Sequence, residues 1–199
     1  TRIAWGEFKA ATLRLVAPPR HLRPYYWTMA VDSFAFGLGL SLLFGMLSQT
    51  YGLTTFQLGI MSSLNALTWT LSQWPVGKLI DRFGSKPIMI LSLVGSVPVL
   101  LGFVLASSFP AFAGLYACFG VLGATWVPAQ LAMLANSTSE SEIGESLGRL
   151  AAFQGLIAFP APFIGGLLYD AFGFQAPLLA SLVGVVVATT MLTVLVKEP

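Results

Sequence analysis

Few polar side chains in this sequence stand where they could do chemistry, and Asp32 is foremost among them. It is the one acidic residue well inside a long apolar segment, and Tyr25, Thr28 and Phe36 share its face at three- and four-residue helical spacing. Counted from Tyr25, it lies about 10 Å along a helix rising about 1.5 Å per residue. A charge at the centre of a membrane helix costs about 2.5–3.5 kcal/mol on insertion scales, so such a residue normally faces a cavity and marks function. Removing a carboxyl group from water favours its protonated form. Asp32 is therefore a candidate to carry a coupling proton or to pair with a cationic solute; the plainer alternative is a carboxyl hydrogen-bonded to neighbouring helices.

The remaining candidates are amides and indoles. Asn65, Trp69, Ser72 and Gln73 form one stripe, Trp126 and Gln130 stand four apart, and Gln154 stands in a later segment. Singly, each is explained by packing between helices; as a convergent set they describe a pocket. Other chemistries lack their residues. An intramembrane serine protease needs a histidine in the bilayer, but the one histidine, His21, lies in a basic arm before the first apolar segment. No His/Cys/Glu cluster has metal-ligand spacing. No phosphate-binding glycine loop precedes a Lys-Ser/Thr pair, so neither metal nor nucleotide cofactor is expected. The lone Cys118 can form no intrachain disulfide.

The elements that must position these groups are apolar and long. Of 199 residues, 56% are hydrophobic and 9% charged, against roughly 25% charged in soluble domains. A spanning helix needs about 20 apolar residues, which leaves room for six spans, placed near 24–48, 55–76, 87–106, 110–135, 147–168 and 176–196. Strand-type alternation is absent. Ten Lys/Arg against eight Asp/Glu are too dilute for a nucleic-acid footprint. Every Lys and Arg falls on one side of this map: Arg2, Lys9, Arg14, Arg20 and Arg23 before the first span, Lys78, Arg82 and Lys86 between the second and third, then Arg149 and Lys197. Positive charge stays cytoplasmic, so the expectation is a multi-pass protein of an inner or plasma membrane with both termini in the cytoplasm. Residues 1–23 form a basic arm rather than a cleavable signal. Its Ile3, Trp5, Phe8, Leu13 and Leu15 fit either a short helix on the inner membrane surface or a solvated linker. The first residue is Thr1 rather than Met, which fits a trimmed N-terminus or a piece of a longer chain.

An internal repeat divides the spans. When the sequence is slid along itself so that Leu58 falls on Leu147, Gly59/Gly148, Leu67/Leu156, Gly77/Gly166, Leu79/Leu168, Asp81/Asp170, Phe83/Phe172 and Gly84/Gly173 also coincide, and Asn65 meets Gln154. Three spans separate the copies, which puts them on opposite faces of the membrane. The first copy carries Lys78, Arg82 and Lys86 where the second has Leu167, Ala171 and Gln175, as the charge rule requires. The expected units are two three-helix repeats, 24–106 and 107–199, in an inverted arrangement of the kind found in secondary transporters.

The run Gly77-Lys78-Leu79-Ile80-Asp81-Arg82-Phe83-Gly84-Ser85-Lys86 resembles the loop signature of the major facilitator superfamily, G-x-L-x-D-R-x-G-R-K, and sits where that family carries it. Ser85 stands where an Arg is usual. On its own physics, Gly77 and Gly84 allow close helix approach and a tight reversal, while Arg82 and Lys86 suit anionic headgroups or inner helix ends. The resemblance implies that Asp81 latches onto the inner end of the fifth helix of a second half, the region of Ser146 to Arg149. It further implies that Asp32, Trp126 and Gln130 line a cavity, with Asn65, Trp69 and Gln154 near it. Pro162, Gly165, Gly166 and the distant Gly148 match part of an antiporter pattern in the fifth helix, but Ile157 and Ala161 replace its glycines, which weakens the case for antiport. Prolines in the second, fourth and fifth spans bend their helices.

The expected fold is therefore an all-α membrane bundle of six transmembrane helices, built from a 3+3 inverted repeat and equivalent to half of a twelve-helix transporter. The working unit pairs two such halves, from a homodimer or from a longer chain, and moves a small-molecule substrate through the lipid membrane by alternating access coupled to protons. A membrane subunit or assembly factor that keeps the half-bundle without transporting is the alternative.

Overall fold

A computed structural model describes residues 17–196. The expected arm helix over Ile3 to Leu15, with Arg2, Lys9 and Arg14, lies outside the described residues, as does Lys197. Among the described residues there are helices and no strands. They are α1 (Arg23–Gly39), α2 (Leu43–Tyr51), α3 (Thr55–Phe83), α4 (Ser85–Leu105), α5 (Phe109–Asn136), α6 (Ile143–Ala158), α7 (Ala161–Phe172) and α8 (Gln175–Val194). A 3₁₀ turn, Leu40–Leu42, joins α1 to α2, and α6 and α7 follow one another across Phe159-Pro160. The helices thus make six rods.

Five rods are long and apolar enough to cross a membrane: Arg20–Tyr51, Ser85–Leu105, Phe109–Asn136, Ile143–Phe172 and Gln175–Val194. The sixth, α3, falls outside that set even though it is the longest unbroken helix at 29 residues. Asn65, Ser72, Gln73, Lys78, Asp81 and Arg82 dilute its apolar surface. It also outruns the expected span, because the charged segment from Gly77 is helical through Phe83, and Gly84 alone interrupts the chain before α4.

Local chemistry sets the ends of these rods. Thr54 and Gln57 form a reciprocal capping box at the start of α3, the Thr54 hydroxyl accepting from the Gln57 amide and Gln57 Oε1 accepting from the Thr54 amide at 2.9 Å. Gly84 turns the chain at φ 85°, and its counterpart in the repeat, Gly173, does so at φ 83°; a side chain at either position would be strained. Pro160 ends α6 because it brings no backbone donor. The break in the first rod has no proline. Gly39 leaves the helical region at φ −125°, and a Cβ there would come 2.9 Å from the Pro177 carbonyl oxygen at the start of α8. The break thus falls at a glycine whose lack of a side chain permits the close approach of α8.

The packing is symmetric under exchange of the two triples. α3 packs on α5 as α6 and α7 pack on α1, α4 packs on α5 as α8 packs on α1, and α4 and α8 pack on each other. Each triple thus buries its second and third rods against the first rod of the other. An aromatic cluster of Tyr51, Phe103, Phe112 and Phe174 closes one end of the bundle, with Tyr51 and Phe112 centroids 4.9 Å apart.

Candidate solute cavity

All six rods contribute to the lining of a partly open cavity of about 380 Å³. α1 supplies Asp32, Ser33 and Phe36, α3 supplies Trp69, and α6 supplies Gln154. α5 contributes Phe119, Gly123, Trp126 and Gln130, while Ser92 and Ser96 come from α4 and Ser181 from α8. Asp32 is the one charged residue in the lining. The residue as a whole is half-buried.

The amides are held in defined poses. Gln154 Nε2 donates to Ser33 Oγ at 3.0 Å and to the Met29 carbonyl at 3.3 Å, and its Oε1 accepts from Gln130 Nε2 at 3.5 Å. Those bonds tie α6 to α1 and α5 directly beside Asp32. Phe36 and Phe119 stack with centroids 6.2 Å apart and 24° between ring planes, and the two indoles complete the aromatic wall. The serines turn their protons away from the cavity: Ser92 donates to the Leu122 carbonyl at 2.8 Å and Ser181 to the Ala35 carbonyl at 2.7 Å. The cavity therefore offers one carboxylate, two oriented amides and several π faces, a combination that attracts a cation with apolar substituents. Among the described residues, no group of three or more His, Cys, Asp or Glu is placed to hold a metal ion.

Of the residues expected to form a pocket, Asp32, Phe36, Trp69, Trp126, Gln130 and Gln154 all line this cavity. Tyr25, Asn65, Ser72 and Gln73 do not. The Tyr25 hydroxyl donates to the Gln130 carbonyl at 2.8 Å, bracing α1 against α5. Asn65 Nδ2 donates to the Tyr116 carbonyl at 2.8 Å, so its amide is spent at the crossing of α3 and α5. Asn65 and Gln154, matched in the repeat, thus perform the same act: each donates to a backbone carbonyl of the first rod of the opposite triple. The serines of α4 and α8 and Gly123 escaped the sequence reading. The four-residue spacing of Ser92 and Ser96 on one helix face was the available signal.

The charged loop lies apart from the cavity. Asp81 and Arg82 are exposed on the last turns of α3, with the Arg82 guanidinium 5.2 Å from the Phe83 ring and Lys78 Nζ 3.8 Å from the Trp74 ring. Lys86 Nζ donates to the carbonyls of Val196 at 2.6 Å and Thr193 at 3.2 Å, placing a cation at the C-terminal end of α8. Gly77, expected to permit close approach, faces open space in this chain, for a Cβ there would meet nothing within 4 Å. The segment Ser146 to Arg149 opens α6, where Arg149 pairs with Glu145 of its own helix.

Known proteins resemble this chain along nearly all its length. The sequence profile described as Major Facilitator Superfamily matches residues 26–199. Tetracycline resistance protein, class C, of Escherichia coli is 30% identical over 161 residues, covering 78% of this chain and 39% of that protein. Multidrug resistance protein MdtG of Serratia proteamaculans is 31% identical over 174 residues, covering 83% of this chain and 42% of that protein. Solute carrier family 22 member 18 of Mus musculus is 30% identical across 100% of this chain and 48% of its own length. The chain spans less than half the length of these relatives. With a membrane bundle of apolar rods, the family's loop signature between α3 and α4 and a profile match from residue 26 onward, the chain belongs to the major facilitator superfamily.

Proposed function

We propose that this chain is one half of a secondary active transporter that moves a small cationic or amphipathic solute by alternating access. The observation that carries this reading is the cavity, lined from all six rods and combining aromatic walls with a single acidic residue, Asp32. Relatives named for tetracycline and multidrug resistance fit a solute of that character. Asp32 binds the cation when ionised and releases it on protonation, which couples solute movement to protons. A second six-helix half, a further copy or the remainder of a longer chain, faces the cavity and completes it. Asp81 meets the start of the fifth helix of that second half and holds one of the two states.

Uptake of tetraphenylphosphonium into liposomes carrying the purified chain, driven by an imposed pH gradient, tests the reading. We expect gradient-driven uptake that Asp32→Asn abolishes, from particles whose mass in detergent corresponds to twelve helices. Uptake in Asp32→Asn with an unaltered pH profile removes the proton role. A folded, twelve-helix particle that moves no cation favours a membrane subunit that does not transport.

A further inference from the structure

Trp69 and Gly123 face one another across the crossing of α3 and α5, and both line the cavity. A Cβ built on Gly123 would overlap the six-membered ring of the indole, standing 2.7 Å from Cε3 and 3.2 Å from Cη2. The indole therefore occupies the room that a side chain at position 123 would take. The two helices cannot part to relieve such an overlap without breaking other contacts. Asn65 Nδ2, one turn before Trp69, and Thr68 Oγ1, beside it in sequence, donate to the Tyr116 and Ala117 carbonyls at 2.8 and 2.7 Å. At Gly120 the backbones already touch, since a Cβ there would lie 3.1 Å from the Asn65 carbonyl carbon. With the crossing clamped, the indole is the part that yields, and the open space beside it is the cavity.

We propose that Gly123 and the Trp69 indole together set the largest solute the cavity accepts: glycine at 123 lets the ring lie back against α5, and any larger residue drives it into the solute's space. The proposal rests on the solute-cavity reading above and adds to it a size limit located at one residue pair. It makes Gly123 a positioning residue, acting through Trp69. Selection by a rigid wall discriminates by bulk, so the effect of a substitution at 123 depends on the size of the ligand.

The test is equilibrium binding of radiolabelled tetraethylammonium and tetraphenylphosphonium, one small and one bulky monocation, to the purified full chain in detergent. Gly123→Ala is expected to lower affinity for tetraphenylphosphonium by about tenfold while changing that for tetraethylammonium by less than about twofold. Adding Trp69→Phe is expected to restore most of the bulky cation's binding, because residues that share a space couple non-additively. Equal losses for both cations, or no recovery in the double variant, overturn the size limit and leave the solute cavity standing. If neither cation binds the unaltered chain, the solute-cavity reading fails instead. The coupling is then read without ligand, from melting temperatures. Recovery of the Gly123→Ala loss by Trp69→Phe upholds the steric pairing, and additive shifts overturn it.

Discussion

Gly165 and Gly166 are adjacent on α7, yet their surroundings differ so much that one methyl group should have opposite effects. A Cβ on Gly165 would overlap the Leu38 carbonyl, lying 2.8 Å from its carbon and 3.1 Å from Leu42 Cδ1, whereas a Cβ on Gly166 would meet nothing within 4 Å. The obstacle at Gly165 is the backbone of α1 at the point where it gives way to the 3₁₀ turn, so no rotamer change can relieve it. Overpacking typically costs about 1–3 kcal/mol, and a clash with main chain belongs at the upper end. Alanine returns about 1 kcal/mol through helix propensity. The net expectation for Gly165→Ala is a loss of about 2 kcal/mol, roughly a thirtyfold shift in the unfolding equilibrium. Gly166→Ala should be neutral or slightly stabilising. Reversible unfolding in mixed micelles titrated with sodium dodecyl sulfate, followed by far-UV circular dichroism, measures both. Equal stability of the two variants would refute the close approach of α7 to α1 on which the first and fifth rods depend.

Further substitutions probe the other clamps. Asn65→Leu and Gln154→Leu should each destabilise the bundle by about 0.6–1.7 kcal/mol, the range for interhelical hydrogen bonds in membranes, since each loses a bond to a backbone carbonyl of the opposite triple. Lys86→Met should cost about 1–2 kcal/mol in the same titration, as the C-terminal carbonyls of α8 lose their cation, and Lys86→Arg should restore part of it. Glu145→Gln, which breaks the i,i+4 pair between the exposed Glu145 and the half-buried Arg149, should cost no more than about 1 kcal/mol, since ion pairs near the surface contribute little.

Hydrophobicity made the rods legible, because a backbone in lipid must satisfy itself as helix and declare that in its composition. The turn at Gly84 was legible too, and its φ is repeated at Gly173, where the internal repeat aligned the two. The break at Leu40–Leu42 was not. Gly39 lies there against Pro177, a contact between residues far apart in sequence, and a lone glycine in an apolar run does not by itself mark a break. The site was half legible for a related reason. Helical spacing tells which side chains share a face, so Asn65, Trp69, Ser72 and Gln73 could be grouped, but the neighbour facing each is set by the crossing of α3 over α5. That crossing gives Trp69 to the cavity and spends Asn65 on the Tyr116 carbonyl.

Ser62, Ser63, Thr70 and Gln73 form an exposed polar strip on α3 beside the equally exposed Leu64, Leu67, Leu71 and Trp74, whereas the exposed middle of α8 is Leu179, Val183, Val186 and Val187. The α8 set suits hydrocarbon. The polar strip does not, because an amide or hydroxyl moved into an apolar medium without a partner costs several kcal/mol. The economical resolution is that this face of α3 meets protein or water in the working particle, as the proposed second half requires. Nitroxide labels at positions 63, 70 and 183, each introduced as cysteine in a Cys118→Ser background, distinguish the two environments in proteoliposomes. Position 183 should be relaxed strongly by oxygen, which concentrates in lipid. Positions 63 and 70 should be relaxed weakly by oxygen, and should gain oxygen access if the particle is dissociated into single halves. Strong oxygen relaxation at 63 and 70 in the intact particle would place α3 against lipid and refute a second half on that face.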